Sequence, residues 1–127
     1  MPRAATRKKK STVDAETARR ILLALPGVDE GPCYGTAGFR VRKKFLARLR
    51  DHDTVLVVKC GFDERDFRLR VDPETFFTTD HYRGYPTVLV LLERVDEEEL
   101  RALLEHSWRQ LAPKRLVADH DRASGAS

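Results

Sequence analysis

Cysteine is scarce in this chain, and its absences define it as much as its contents. Only Cys33 and Cys60 occur. They form no Cys-x-x-Cys pair, and no His-x-x-x-His pattern accompanies them, so their spacing carries neither a zinc nor a redox motif. Two buried free thiols in a reducing cytoplasm are the leading expectation, with a disulfide or a metal site as the alternatives. No apolar run approaches the ~20 residues of a membrane span. The basic N-terminus has no apolar stretch behind it, which excludes a secretory signal there. Gly35 and Gly38 fit neither a phosphate loop nor a dinucleotide fingerprint. No nucleophile motif surrounds Cys33 or Ser107. His52, His106 and His120 are scattered, which suits structural or solvent-exposed roles. These absences set the expectations of no metal, no cofactor, no membrane partner and a cytoplasmic location. They identify no reaction.

What is present fits one domain. The chain has 127 residues, of which 41% are hydrophobic and 35% charged, the latter above the usual ~25%. The net charge of +4 is unevenly placed. Arg3, Arg7, Lys8, Lys9 and Lys10 precede the first acid, leaving 19 basic residues against 20 acidic in the remainder. Residues 1–11 therefore read as a disordered basic tail, either a solubilising end or a sequence-independent phosphate binder. A single domain is expected over 12–119, with a frayed C-terminus at 120–127.

The chain is organised around Phe39 to Arg50. Side chains alternate faces along a strand. The odd positions Phe39, Val41, Phe45, Ala47 and Leu49 spell an apolar face; the even positions Arg40, Arg42, Lys44, Leu46, Arg48 and Arg50 spell a mostly cationic one. Lys43 falls where a tight turn belongs. The expectation is a β-hairpin with a buried underside and a basic outer surface, its nucleic-acid-binding residues being Arg40, Arg42, Lys43, Lys44, Arg48 and Arg50.

Around it, Asp14 to Leu25 has helical spacing and stops at Pro26-Gly27. Gly31 to Gly38 reads as a turn leading into a short or irregular strand. Thr54 to Lys59 is an unbroken β-branched run, as in a centre strand covered on both faces. Asp63 to Val71 fits a helix capped by Asp63 and also an alternating strand; the helix is favoured. A short extended piece around Phe76-Phe77 and a strand from Thr87 to Glu93 follow. Asp96, with Glu99 three residues on, opens a helix with a Leu100, Leu103, Leu104, Trp108 and Leu111 stripe. Lys114 to Ala118 offers one more turn. This order is not βαβ alternation; it predicts an α+β domain, an antiparallel sheet with helices packed on one side. Phe39, Val41, Phe45, Val55, Val57, Leu89 and Leu91 are the candidate core.

The loop Thr78-Thr79-Asp80-His81-Tyr82-Arg83-Gly84-Tyr85-Pro86, whose last seven residues are the candidate ligand loop, is dense in polar, titratable and aromatic groups. His81, Tyr82, Arg83 and Tyr85 could bind an anionic ligand; alternatively the tyrosines cap the core and Gly84-Tyr85-Pro86 sets a turn.

Several of these stretches, taken together, resemble the MmcQ/YjbR family. They are Leu25-Pro26-Gly27-Val28, Gly35, Phe39-Arg40-Val41 with Lys44 and Ala47, Phe77-Thr78-Thr79 through Pro86, and Ser107-Trp108 to Ala112-Pro113-Lys114-Arg115-Leu116. The resemblance runs from about Ala15 to Asp119. It implies a small bacterial cytoplasmic α+β domain with a double-wing DNA-binding motif, and it brings no catalytic residue. One departure is Lys43, where the family often has Gly in the hairpin turn. The leading functional expectation is non-specific binding to double-stranded DNA through the hairpin and tail. The alternative is a small-molecule binder or enzyme using the Asp80–Pro86 loop.

Overall fold

The computed structural model describes residues 13–124. The expected basic tail, 1–11, and residues 125–127 of the stretch expected to fray lie outside them, whereas 120–124 of that stretch are helical. The elements run α1 (Ala15–Ala24), β1 (Val28–Cys33), β2 (Thr36–Val41), β3 (Lys44–Arg50), β4 (Val55–Lys59), α2 (Phe62–Val71), β5 (Phe76–Phe77), β6 (Thr87–Leu91), α3 (Glu97–Leu111) and α4 (Lys114–Ser124). The sheet has six strands in the order β1-β2-β3-β4-β6-β5, every pair antiparallel. This is the α+β class expected. Among the described residues no helix is long and apolar enough to cross a membrane.

The caps follow from side-chain chemistry. Asp14 Oδ1 accepts from Thr17 N at 2.8 Å, and this bond holds its carboxyl below the ordinary value. Asp96 accepts from Glu98 N at 3.1 Å. Both satisfy amides that a helix start leaves orphaned. The core lies between sheet and helices. Ala18, Leu22, Phe39, Val41, Leu49, Leu56, Val58, Val88, Val90, Leu103 and Trp108 pack in it. Trp108 Nε1 donates to Pro26 O at 2.8 Å, tying α3 to the turn after α1.

Four readings of the sequence need correction. First, Gly31-Pro32-Cys33, expected in a turn, belong to an edge strand, Val28–Cys33. Pro32 pairs with Ala37 there, which an edge tolerates because the missing N–H can face outward. Second, α2 begins at Phe62, and its cap position is Gly61, at φ 91°, with no side-chain cap bond. The helix buries none of its residues and is held by polar ties instead. Arg68 bonds Glu64 at 2.7 Å and lies 3.5 Å from Glu99 of α3; Arg65 Nη1 donates to Arg83 O at 2.7 Å. Third, α4 continues past Ala118 to Ser124. Arg109 bonds Asp121 at 3.1 Å, holding that carboxyl below its usual range, and the His120 ring meets Trp108 edge-on at 4.9 Å.

The fourth correction concerns the hairpin. The turn is Arg42-Lys43, with φ of 49° and 76° at the two residues, so Lys43 takes the left-handed conformation without glycine. A bulge between Phe39 and Arg40 sets Phe39 opposite Ala47 and Arg40 opposite Phe45, which leaves Leu46 extra. An inserted residue inverts the alternation locally. Leu46 therefore joins the helix-side core, and Phe45 moves to the other face. Of the expected core, Phe39, Val41, Val55, Val57 and Leu89 are buried, whereas Phe45 and Leu91 are half-buried.

Cys33 and Cys60 are both free and buried. Burial, reinforced by the charge of Glu64, pushes the Cys60 thiol from its ordinary 9.0 up to about 12. A thiol that stays protonated when folded and ionises when unfolded withdraws stability as pH rises. The loss attributable to Cys60 begins near the unfolded value and is complete by about pH 12. A Cys60→Ala variant should lose less stability than the parent between pH 8.5 and 10.5 in urea titrations, and identical slopes would remove this linkage. The native protein should also shield Cys60 from a disulfide reagent until it unfolds.

Candidate functional site

The second face of the sheet is only partly covered. Val55, Val57 and Leu89 form a small apolar floor there, flanked by Phe45, Phe77, Tyr82 and Leu91. Residues directly opposite in an antiparallel pair share a face. Arg50 stands opposite Val55, Arg48 opposite Val57, Arg40 opposite Phe45 and Lys59 opposite Thr87. Arg40, Arg48, Arg50 and Lys59 thus surround that floor.

Two segments wall it. The loop after β5 crosses the face and is pinned at its far end, where Cys60 N and Gly61 N both donate to Pro86 O at 2.9 and 3.0 Å. Opposite is the β1–β2 turn, Tyr34-Gly35, with φ of 51° and 81°. A tyrosine in the left-handed region costs roughly 1–2 kcal/mol, and the result is a ring held out at 89% exposure. Between these walls lies a cleft of about 1130 Å³. Four cations line it (Arg40, Arg48, Arg50, Lys59) against one carboxylate, Asp51.

Arg48 is the most constrained of the four. Its Nη1 donates to Tyr82 Oη at 2.8 Å and its Nη2 to Thr36 Oγ1 at 3.4 Å, while the Tyr34 ring centre lies 5.4 Å from the guanidinium carbon. Among the described residues, Arg40 and Arg48 make no ion pair, whereas Arg50 reaches Asp51 at 3.2 Å and sits 5.8 Å from the Tyr82 ring centre. His81 meets Tyr82 edge-on at 4.7 Å and lies 6.0 Å from Tyr85.

The cleft also gathers unmet hydrogen-bonding capacity. Arg48 Nε, Thr79 Oγ1 and Thr87 Oγ1 are buried and unpartnered among the described residues, and all three residues line it. Thr87 is only 6% exposed. These three atoms have almost no exposed surface, so a ligand in the cleft reaches them only if the lining shifts.

The structure thus merges two groups that the sequence keeps apart. Arg40, Arg48 and Arg50 of the hairpin and His81, Tyr82 and Tyr85 of the loop line one cleft. It also splits the expected basic face. Arg42 and Lys43 occupy the turn, Lys44 pairs with Val41, and all three are exposed outside the cleft. Arg83 is not in the lining; it bonds Asp80 at 3.0 Å. Trp108 lies in the core on the opposite face. Sequence reasoning missed Tyr34, Lys59 and Thr87 as lining residues. Lys59 was readable as the next step of the Val55, Val57 alternation; Tyr34 was signalled only by its turn dipeptide with Gly35. Among the described residues no cluster could hold a metal ion.

Comparison with known proteins adds a family but no activity. The family model described as YjbR matches residues 23–110. Uncharacterized protein Rv2570 of Mycobacterium tuberculosis (strain ATCC 25618 / H37Rv) and uncharacterized protein Mb2600 of Mycobacterium bovis are each 44% identical to the chain over 46 residues. That stretch covers 36% of this chain and 36% of either relative, so the alignment spans about a third of their length. No solved structure matches the chain significantly.

Proposed function

The chain belongs to the YjbR family, and from that premise and the chemistry of its open sheet face we propose that it binds DNA through phosphates, without reading sequence. The observation that carries this reading is the lining of the cleft, four cations against one carboxylate. Clustered cations on one surface release counterions from a nucleic acid and hold its backbone. Such contacts position a protein but do not specify bases. Arg42, Lys43 and Lys44 at the hairpin tip extend the charge beyond the cleft, and the basic residues of 1–11 add a further sequence-independent contribution. The concavity favours a second reading, a small anionic molecule held in the cleft.

The test is a salt-dependent titration of labelled DNA with protein lacking residues 1–11. Replacing Arg40, Arg48 and Arg50 with Gln should weaken binding alike for unrelated sequences. It should also lower the slope of log affinity against log salt by about two to three, since each phosphate contact contributes ~0.7–0.9. The same change at Arg42, Lys43 and Lys44 should have a smaller effect. An unchanged slope in a folded cleft triple variant would remove the proposal.

A further inference from the structure

A polyanion needs only charge, and the cleft offers more than charge. Tyr34 stands at one rim, 89% exposed, and Tyr85 at the other, 55% exposed. Tyr34 is the most exposed of the large hydrophobic side chains among the described residues, and it is held out by a backbone that its side chain disfavours. The rings and the cations interleave. Arg48 lies beside Tyr34, and Arg50 beside Tyr82. The guanidinium groups of Arg40, Arg48 and Arg50 line the cleft and are donors suited to an anionic oxygen. The volume of about 1130 Å³ is at or above the upper end of the ~300–1,000 Å³ usual for small-molecule sites, which suits an extended ligand.

A ligand that satisfies all of this carries phosphates and flat rings at alternating positions. A duplex does not, because its bases face each other inside the stack. An unpaired strand does: its phosphates can follow a basic groove while its bases stack on aromatic side chains. Resting on the DNA-binding reading above, we infer that the cleft takes a single-stranded segment, with a phosphate among Arg40, Arg48 and Arg50 and a base on Tyr34. Tyr82 is a positioning residue: its hydroxyl takes a hydrogen bond from Arg48 and its ring lies beside Arg50.

Four probes separate the alternatives: a labelled oligothymidine, the same strand annealed to its complement, an abasic oligomer of equal length and charge, and thymidine monophosphate. Protein lacking residues 1–11 should bind the single strand at least about tenfold more tightly than either the abasic oligomer or the duplex. Tyr34→Ala should weaken the single strand between about fivefold and a hundredfold and leave the abasic oligomer unchanged. Tyr34→Phe should restore the parent value, because the ring and not the hydroxyl does the stacking. Tyr34 is almost wholly in solvent, so loss of fold does not intervene. Equal affinity for the strand and the abasic oligomer would overturn the stacking inference while leaving phosphate binding intact. Thymidine monophosphate binding as tightly as the strand would overturn the strand assignment in favour of a free nucleotide. Binding of none of the polymers would overturn the DNA reading itself and this inference with it.

Discussion

Replacing Trp108 with Ala should destabilise the domain by about 3–5 kcal/mol, the range for removing a large aromatic from a packed core. Trp108 is fully buried, and it is the largest such side chain in the fold. It stands on α3, contributes to the helix-side core, and closes a long-range tie by donating Nε1–H to Pro26 O at 2.8 Å. Alanine removes both the packing and the donor. The edge-on contact with His120 goes as well, so α4 should loosen before the sheet melts. Trp108→Phe separates the terms. It keeps an apolar ring but leaves a backbone carbonyl without that donor, for an expected loss of about 1–3 kcal/mol. Chemical denaturation of the three proteins measures both differences. An Ala variant within 1 kcal/mol of the parent would mean that α3 repacks without its anchor. The open face does not include Trp108, so oligonucleotide binding below the unfolding transition should change little.

Gly38→Ala should also destabilise the fold, against the usual gain from replacing a strand glycine. Alanine at an unstrained strand position ordinarily stabilises by roughly 0.5–1 kcal/mol. At Gly38 the added Cβ would sit 2.5 Å from the Cβ of Cys33 and 3.4 Å from Gly31 O. The Cys33 Cβ is fixed to its backbone and cannot swing aside, so β1 must shift from β2. Overpacking of this kind costs typically 1–3 kcal/mol. Because β1 is an edge strand, the strain is relieved by displacing it outward, and Tyr34, next to Cys33, moves with it. The variant should therefore lose both stability and single-strand affinity. Gly31→Ala is the control. Its added Cβ would meet only Arg40 Nη1, at 3.9 Å, so its stability should equal or exceed the parent's. Removing the opposing Cβ with Cys33→Gly should recover part of the loss in the Gly38→Ala background. A Gly38→Ala protein as stable as Gly31→Ala would show that β1 yields at no cost.

How the sequence relates to the site is clearest at the hairpin. Phe39, Val41 and Leu49 were assignable to the core by alternation, and they are there. Alternation fails at Phe45 and Leu46, where the β2–β3 register shifts by one residue. Such a shift belongs to the pair of strands, and nothing in either strand's own pattern announces it. The cationic row was legible as a composition, but its division into Arg40, Arg48 and Arg50 on the cleft and Arg42, Lys43 and Lys44 at the tip depends on that shift and on the turn.

The sequence by itself determined the class of the fold, the helix starts at Asp14 and Asp96, the buried centre strand and the basic character of one ribbon. All of these rest on local periodicity, capping chemistry and charge, which act within a few residues. Only the tertiary structure decided that residues 28–33 pair as an edge strand, that α4 returns to cover Trp108, and that the Asp80–Pro86 loop lies across the face holding Arg48. Arg48 and Tyr82 are 34 residues apart in the chain yet share a hydrogen bond. No local propensity encodes such a meeting; it follows from the strand order, which places β3 next to β4 and β4 next to β6 and so brings the loop before β6 over the arginines of β3.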